Sequence, residues 1–482
     1  MQKRFFSSLA LSLFLNLLIK PFSVLVIDAG VQRVLGNEAY GQYFVLLSLS
    51  LVFNIFLDLG INNFTTRFIA QDTTHLNQHV SKVFYLRLLL FLLYVVLVYG
   101  SAWMFNLGSG QFTLLTLLVF NQFLIQSIAF IRSLFSGLHL FRTDSLISVL
   151  DRAILILIMG AALLFSIPSI TIFNFVLAQT LGYALTLFTA IWLLRTQIKS
   201  LVPTFDKVYI RDVLTRSFPF ALLVLLMLLY NRSDVVLLKQ ISAAGNYQAG
   251  VYAQGYRLLD ALYMLGMIFA GLLFPVFSRM LHQKSNELFE LVQITGKLLV
   301  GGSLGILFIV SYHGSYFLHL IYGDKVDSAS ILVFQYLMMA FTAMSFNFIF
   351  GTLLTAGGNL NLLNLTALLG VLVSVLSNLI LIPKLGAIGC AISAFITQGV
   401  VSTVLVVISY KRLNVFFSAR SLVAFVMLVS SLYGIKWLVQ PNIPESQALI
   451  VDLILVLVFS FAYSIIDLKS IRQIWQLKED IQ

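Results

Sequence analysis

A chain of 482 residues that is 60% hydrophobic and only 10% charged, with mean hydropathy +0.97, is outside what a soluble domain of that size carries. Apolar runs recur from end to end, which indicates a polytopic helical membrane protein and argues against a β-barrel, whose signature is ~10-residue alternating segments. The net charge of +11 would suggest nucleic acid in a soluble protein; here basic cytoplasmic loops account for it, and no nucleic-acid partner is expected.

Lys3-Arg4 followed by apolar residues imitates a signal peptide, but the run continues past Lys20-Pro21 to Ile27, so a retained first helix is predicted. About fourteen spans are predicted, at roughly 5–28, 41–62, 83–105, 112–136, 146–166, 170–194, 217–241, 250–276, 296–318, 330–355, 362–382, 386–409, 420–439 and 447–467. Ile382-Pro383-Lys384-Leu385-Gly386 separates the eleventh from the twelfth, because proline and glycine break the helical pattern. The single Cys390, in an apolar helix, rules out an internal disulfide.

The loops orient the spans. With the N-terminus inside, the cytoplasmic side receives Lys3, Arg4, Arg67, Lys82, Arg142, Arg195, Lys199, Lys207, Arg211, Arg216, Arg279, Lys284, Lys411, Arg412, Lys469, Arg472 and Lys478. The other side receives little beyond Arg33, Lys239, Lys325 and Lys384, and an even number of spans returns the C-terminus to the cytoplasm. External loops are short, and the Lys199–Arg216 connection is the largest internal one.

Gly36-Asn37-Glu38-Ala39-Tyr40-Gly41-Gln42-Tyr43 and Gly245-Asn246-Tyr247-Gln248-Ala249-Gly250-Val251-Tyr252 share Gly-Asn-x-x-x-Gly-x-Tyr. Gly41 to Gly250 and Tyr43 to Tyr252 are the same 209 residues apart. Copies six predicted helices apart face the same way across the membrane, as in a parallel repeat of two six-helix lobes. The expected organisation is an N-terminal lobe over 1–198, a cytoplasmic linker over 199–216, a C-terminal lobe over 217–412, and two additional helices with a cytoplasmic tail over 413–482.

Charge inside spans is costly, at least ~2.5–3.5 kcal/mol per group at the helix centre, so each instance asks for a polar cavity or a partner. Arg232 and Asp234 interrupt the seventh span; Arg257 and Asp260 sit in the eighth, at i and i+3, where they can pair. Lys20 and Arg232 each lie about fifteen residues into their helices, ~22 Å from the cytoplasmic edge. Pro21 is placed to kink the first helix beside Lys20. Lys20, Arg132, Arg232 and Arg257 against Asp234 and Asp260 leave two excess positive charges, which suits a phosphate-bearing substrate. The alternative is that Lys20 snorkels and the others pair for packing. Asp234 and Asp260 are candidates for ion coupling, and Asp58, in Leu57-Asp58-Leu59-Gly60, for a helix-end or gating role; Asp151-Arg152 reads as a local pair.

No enzyme constellation is present: no HExxH, no Cys-x-x-Cys, no Walker A loop and no G-x-S-x-G. His75, His79, His139, His282, His313 and His319 are expected mostly in loops and lack metal spacing. Neither metal nor cofactor is expected, and without a nucleotide site active transport must draw on an ion gradient or the membrane potential.

Three stretches carry a family resemblance. The first is Arg33-Val34-Leu35-Gly36 through Tyr40-Gly41-Gln42-Tyr43 to Phe56-Leu57-Asp58-Leu59-Gly60-Ile61 and Arg67-Phe68. The second is Asn231-Arg232-Ser233-Asp234-Val235-Val236-Leu237-Leu238, then Gly250-Val251-Tyr252 and Pro275-Val276-Phe277-Ser278. The third is Leu354-Thr355-Ala356-Gly357-Gly358, then Asn378-Leu379-Ile380-Leu381-Ile382-Pro383 and Gly386-Ala387-Ile388-Gly389-Cys390-Ala391. In this order they resemble the multidrug/oligosaccharidyl-lipid/polysaccharide (MOP) exporter superfamily, and within it the polysaccharide-biosynthesis transporters, the Wzx-type O-antigen flippases.

The resemblance implies a two-lobed, alternating-access transporter of a bacterial inner membrane. Its implied cargo is an undecaprenyl-pyrophosphate-linked oligosaccharide, with H+ or Na+ as coupling ion and polysaccharide polymerase machinery as a partner. It further implies a cationic cavity for pyrophosphate and sugar, and a hydrophobic groove for the lipid tail formed with the last two helices. Only Arg232 and Asp234 are carried over individually, as the intramembrane Arg-x-Asp of the seventh helix. A MATE-type drug antiporter would have about twelve spans and acidic groups dominating the first lobe, where this chain has Lys20. A membrane-embedded polysaccharide polymerase or ligase would carry a large external loop with arginines. A peptidoglycan-precursor flippase is also compatible with fourteen spans.

Overall fold

The computed structural model describes residues 14–71, 76–105, 107–165, 170–197, 206–285, 287–438 and 444–467. Lys3, Arg4 and the beginning of the first predicted span, His75, the 199–205 part of the linker with Lys199, and the tail with Lys469, Arg472 and Lys478 lie outside the described residues. Within the described residues the chain is helical throughout, with no strand.

The helices are α1 (Phe14–Val52), α2 (Ile61–Gln71), α3 (Leu76–Met104), α4 (Ser109–Gly137), α5 (Phe141–Leu164), α6 (Ile172–Leu194) and α7 (Lys207–Ile241). They continue as α8 (Gly245–Gln283), α9 (Glu287–Tyr322), α10 (Ser328–Ala356), α11 (Leu360–Leu385), α12 (Ala387–Leu413), α13 (Ala419–Leu438) and α14 (Glu445–Ala462). All but the short α2 are long and apolar enough to cross a membrane, thirteen such segments among the described residues. This is a multi-pass membrane protein. Leu157, Leu164, Phe188 and Trp437 are 72%, 83%, 69% and 80% exposed, a surface that only lipid would cover.

The first two predicted spans form the 39-residue α1, two helices that meet at a kink, so the thirteen long segments are the roughly fourteen predicted spans with that pair counted as one. No loop separates them; a single residue, Gly36 at φ +78°, leaves the helical region, which a side chain would resist. Upstream, the helix passes through Pro21 and loosens into a π turn at Ser23–Asp28, the usual accommodation when a carbonyl loses its donor. The second predicted span ends early, at Val52, because a 3-10 turn at Asn54–Leu57 and positive φ at Leu59 and Gly60 redirect the chain into α2. The boundary at Gly386 is where the sequence placed it: α11 ends at Leu385 and α12 starts at Ala387.

The chain forms two compact units, Met1–Ala253 and Gln254–Gln482. In the first, α4 packs on α6 and α2, α5 on α6, and α1 on α7 and α4. In the second, α12 packs on α11 and α10, α10 on α9, and α13 and α14 pack on α9 and on each other. Hydroxyl groups on these helices satisfy themselves locally: Ser127, Thr180, Thr366 and Ser377 each donate to the carbonyl four residues back. That keeps hydroxyls compatible with a medium offering no other acceptor.

Candidate functional site

In the first unit, three helices bring charge together. Lys20 of α1 lies within electrostatic range of Arg132, Asp151, Arg152 and Asp144. Arg132 Nε of α4 donates to Asp144 Oδ1 of α5 at 2.6 Å. Arg152 Nε lies 3.4 Å from Asp151 Oδ2, its guanidinium 6.0 Å from the Tyr183 ring centroid, and it also feels Asp28 and Tyr43. Asp28 is 2% exposed, in the π turn of α1, and Gln179 Nε2 donates to the Tyr43 hydroxyl at 3.1 Å. Sequence reasoning singled out Lys20 and Arg132 here and read Asp151-Arg152 as a local pair. It missed Asp28 and Asp144. Asp28 falls at the end of its predicted span, and Asp144 meets Arg132 only across the α4–α5 turn.

The Arg-x-Asp of α7 is built differently. Asp234 is 3% exposed; its Oδ2 accepts from the Tyr252 hydroxyl at 2.6 Å and its Oδ1 from the Val235 backbone N–H at 2.7 Å. Arg232 acts on it electrostatically. Tyr252 belongs to the second copy of the sequence repeat, and the two copies meet. A Cβ at Gly41 would overlap the carbonyl oxygen of Asn246, and one at Gly250 would overlap that of Asn37. Gln32 Nε2 donates to Asn37 Oδ1 at 3.0 Å and to the Gly250 carbonyl at 2.8 Å. Each copy's second glycine thus rests on the other copy's asparagine, the reciprocal pattern of a two-fold contact. The repeat is a packing device that bears on the site, since it fixes the start of α8 and with it the Tyr252 hydroxyl on Asp234.

Asp58 caps α2. Its Oδ1 accepts from Asn62 N at 3.0 Å and its Oδ2 from Gly60 N at 3.2 Å, satisfying N–H groups that a helix start leaves open. Burial raises its pKa above the usual carboxylate value, a shift opposed by the Asn62 and Gly60 N–H groups and by Arg87.

In the second unit, Arg257 Nη1 and Asp260 Oδ2 lie 3.6 Å apart on α8, with side chains 9% and 15% exposed. A second cluster there escaped the sequence reading. Asp452 Oδ2 of α14 accepts from Lys436 Nζ of α13 at 2.5 Å and from His313 Nε2 of α9 at 2.8 Å. Glu445 Oε1 lies 3.9 Å from His313 Nδ1, and Lys436 stands 5.3 Å from the Tyr312 ring centroid. Histidines expected in loops are thus helical: His313 is buried in α9, and His79 is buried in α3 against Thr65 Oγ1 and the Tyr209 hydroxyl at 2.8 and 2.5 Å. The apolar run Ile306–Val310 just before His313 was the available signal there, whereas His79 sits among Asn77, Gln78, Ser81 and Lys82, which gave none. Among the described residues no His, Cys, Asp and Glu group is arranged to hold a metal ion.

Residues 7–281, more than half of the chain, match the family model described as "Polysaccharide biosynthesis protein". No curated protein matches the chain by sequence. Among solved structures, the lipid II flippase MurJ in an inward closed conformation superposes with TM-score 0.73 at 14% identity, over 94% of this chain and 97% of that one. An inward-facing multidrug resistance MATE family transporter of the MOP superfamily gives 0.59 at 16% identity, over 82% and 94%. A MOP superfamily transporter from Pyrococcus furiosus gives 0.55 at 15% identity, over 86% and 96%. At these identities the likeness is one of fold.

Proposed function

Because this chain belongs to the polysaccharide biosynthesis protein family and has the MOP-superfamily fold, we propose that it is a flippase for a lipid-linked oligosaccharide. The cargo is an undecaprenyl-pyrophosphate-linked repeat unit, moved from the cytoplasmic to the outer leaflet for O-antigen, capsule or exopolysaccharide synthesis. The protein acts as a transporter rather than an enzyme, in a bacterial inner membrane, with both termini cytoplasmic and polysaccharide polymerase machinery downstream. The observation that carries the cargo class is the reach of the fold likeness. It spans 94% of the chain for a flippase of lipid II but 82% for a MATE transporter that is itself matched over 94%.

In this reading two lobes, 1–198 and 217–412, alternate access about the 199–216 linker, with 413–482 as additional helices and tail. Arg232, Lys20, Arg257 and Arg132 supply positive charge for pyrophosphate and sugar. Arg132 would have to exchange Asp144 for phosphate, and Arg257 would have to exchange Asp260. Asp234, Asp260 and Asp58 are the coupling or gating carboxylates, with H+ or Na+ as the ion. Asp234 supports that role best: it is buried, and its hydroxyl partner Tyr252 can also stand beside a protonated carboxyl.

The test is transport of a lipid-pyrophosphate oligosaccharide in vesicles reconstituted with wild type or Arg232→Ala. The readout is the labelled fraction reaching the opposite leaflet, with insertion measured separately. Protein-dependent flipping that falls at least ~10-fold in Arg232→Ala is expected, the loss of roughly 1.4 kcal/mol of charge-assisted binding. Flipping that survives the substitution returns Arg232 to packing. Absence of flipping with ion-coupled efflux of cationic dyes moves the protein to drug antiport.

A further inference from the structure

A cavity of about 530 Å³ lies in the first unit between α3, α4 and α6, and none of the groups assigned to cargo is among its lining residues. Its walls are apolar: Phe84, Leu88, Phe123, Ile131 and Ile191 are typical of the lining. Phe84, Leu88 and Ile191 are 55%, 46% and 53% exposed, so it opens sideways into the bilayer. Three lining residues are polar. Ser127 donates its hydroxyl to the Phe123 carbonyl, so it has nothing left to give. The other two are Arg87 and Arg195.

Arg87 has an unusual set of neighbours for a cation inside a span. Its Nη2 donates to the Gln126 carbonyl at 2.7 Å, its Nη1 reaches Asn62 Oδ1 at 3.5 Å, and its guanidinium sits 4.7 Å from the Phe130 ring centroid. Among the described residues no carboxylate stands within ion-pair distance of it; Asp58 acts on it only through space and is itself engaged in capping α2. Arg195, at the end of α6, packs its guanidinium 4.9 Å from the Trp192 ring centroid and is exposed. The cavity therefore offers an apolar body, a cation within it and a second cation at its mouth. A positive charge in such surroundings is held at lowest cost by an anion that arrives with its own apolar body.

The mouth lies near the start of α3 and the end of α6, on the side where Lys82, Lys207 and Arg211 also cluster, the basic and hence cytoplasmic side. Basic pockets between spanning helices on that side recognise anionic lipid headgroups. We infer that this cavity is a binding site for an anionic glycerophospholipid of that leaflet, with an acyl chain along α4 and the phosphate between Arg87 and Arg195. The volume is in the range of small-ligand pockets and holds only part of either a glycerophospholipid or an undecaprenyl chain, so competition between the two is what separates this lipid from the cargo.

The test uses the full chain released from bilayers holding equal phosphatidylglycerol and phosphatidylcholine, with retained lipid identified by native mass spectrometry. Wild type is expected to retain phosphatidylglycerol over phosphatidylcholine by ~10-fold or more. Arg87→Gln, which keeps a donor for the Gln126 carbonyl, is expected to abolish the preference. Ser127→Phe, which puts a ring into the acyl-chain path along α4 and leaves both arginines, is expected to weaken retention of the bound lipid; it keeps the inference testable if Arg87→Gln fails to fold. Equal retention of the two lipids by wild type, or an unchanged preference in either folded variant, overturns the inference. Displacement of phosphatidylglycerol by equimolar undecaprenyl pyrophosphate also overturns it, assigning the cavity to the cargo.

Discussion

The two units handle charge within the spans in different ways. In the first, Lys20, Arg132 and Arg152 share a neighbourhood with Asp28, Asp144 and Asp151, so carboxylates and cations are present in equal number and spread over α1, α4 and α5. In the second, one oxygen of Asp452 serves both Lys436 and His313 and ties α13 and α14 to α9. A distributed set can lose one member and re-pair, whereas a shared acceptor cannot. The first arrangement suits groups that exchange partners during transport; the second suits a fixed attachment of the last two helices.

The largest expected effect tests the shared acceptor. Asp452→Asn removes the buried carboxylate that the partly buried Lys436 ammonium and His313 share, a change of up to about 3 kcal/mol, and should lower the thermal unfolding temperature in detergent strongly. Adding Lys436→Met should recover much of the loss; a double variant as unstable as the single one would break the comparison. Tyr252→Phe should come next. It removes the hydroxyl on buried Asp234, worth about 1–2 kcal/mol within a membrane helix pair, and should also shift the pH dependence of flipping if Asp234 binds the coupling ion.

Asp144→Asn is expected to cost less, roughly 0.5–1 kcal/mol, since both it and Arg132 are partly exposed and other carboxylates stand nearby. An effect as large as that of Asp452→Asn would show that the first unit's charges are not distributed after all. The smallest effect lies outside the spans, at Asp206. The Tyr209 backbone N–H, at 3.0 Å, and Lys82, at 2.9 Å, hold its pKa below the usual carboxylate value. Its contribution is therefore full above the unfolded-state value and is lost as pH falls through the lower folded-state value. The unfolding-temperature difference between wild type and Asp206→Ala should be small and constant near neutrality and should shrink on acidification below about pH 4.

Much of the fold could be read before any coordinates. Apolar runs located every long helix, Ile382–Gly386 marked a helix boundary, and the i, i+3 spacing placed Arg257 beside Asp260. Local spacing also put Asp58 at a helix end, where it caps α2. The joined α1 was harder, because Gly36 breaks the backbone at a single residue while both flanks stay helical. The repeat was visible as letters, but its reciprocal packing of Gly41 and Gly250 was not.

The amino-acid sequence alone determined that this chain crosses a membrane many times and where each crossing lies, because ~20 apolar residues are what a bilayer demands of a helix. Tertiary structure decided which polar groups meet. Arg132 meets Asp144 across the turn between two helices, and His313 meets an Asp452 that lies 139 positions along the chain and also holds Lys436. In lipid both faces of a helix are apolar, so hydrophobic periodicity no longer says which face turns inward, and partners are chosen by helix packing. The cavity around Arg87 belongs to the same class: three ordinary apolar helices made it only by where they came together.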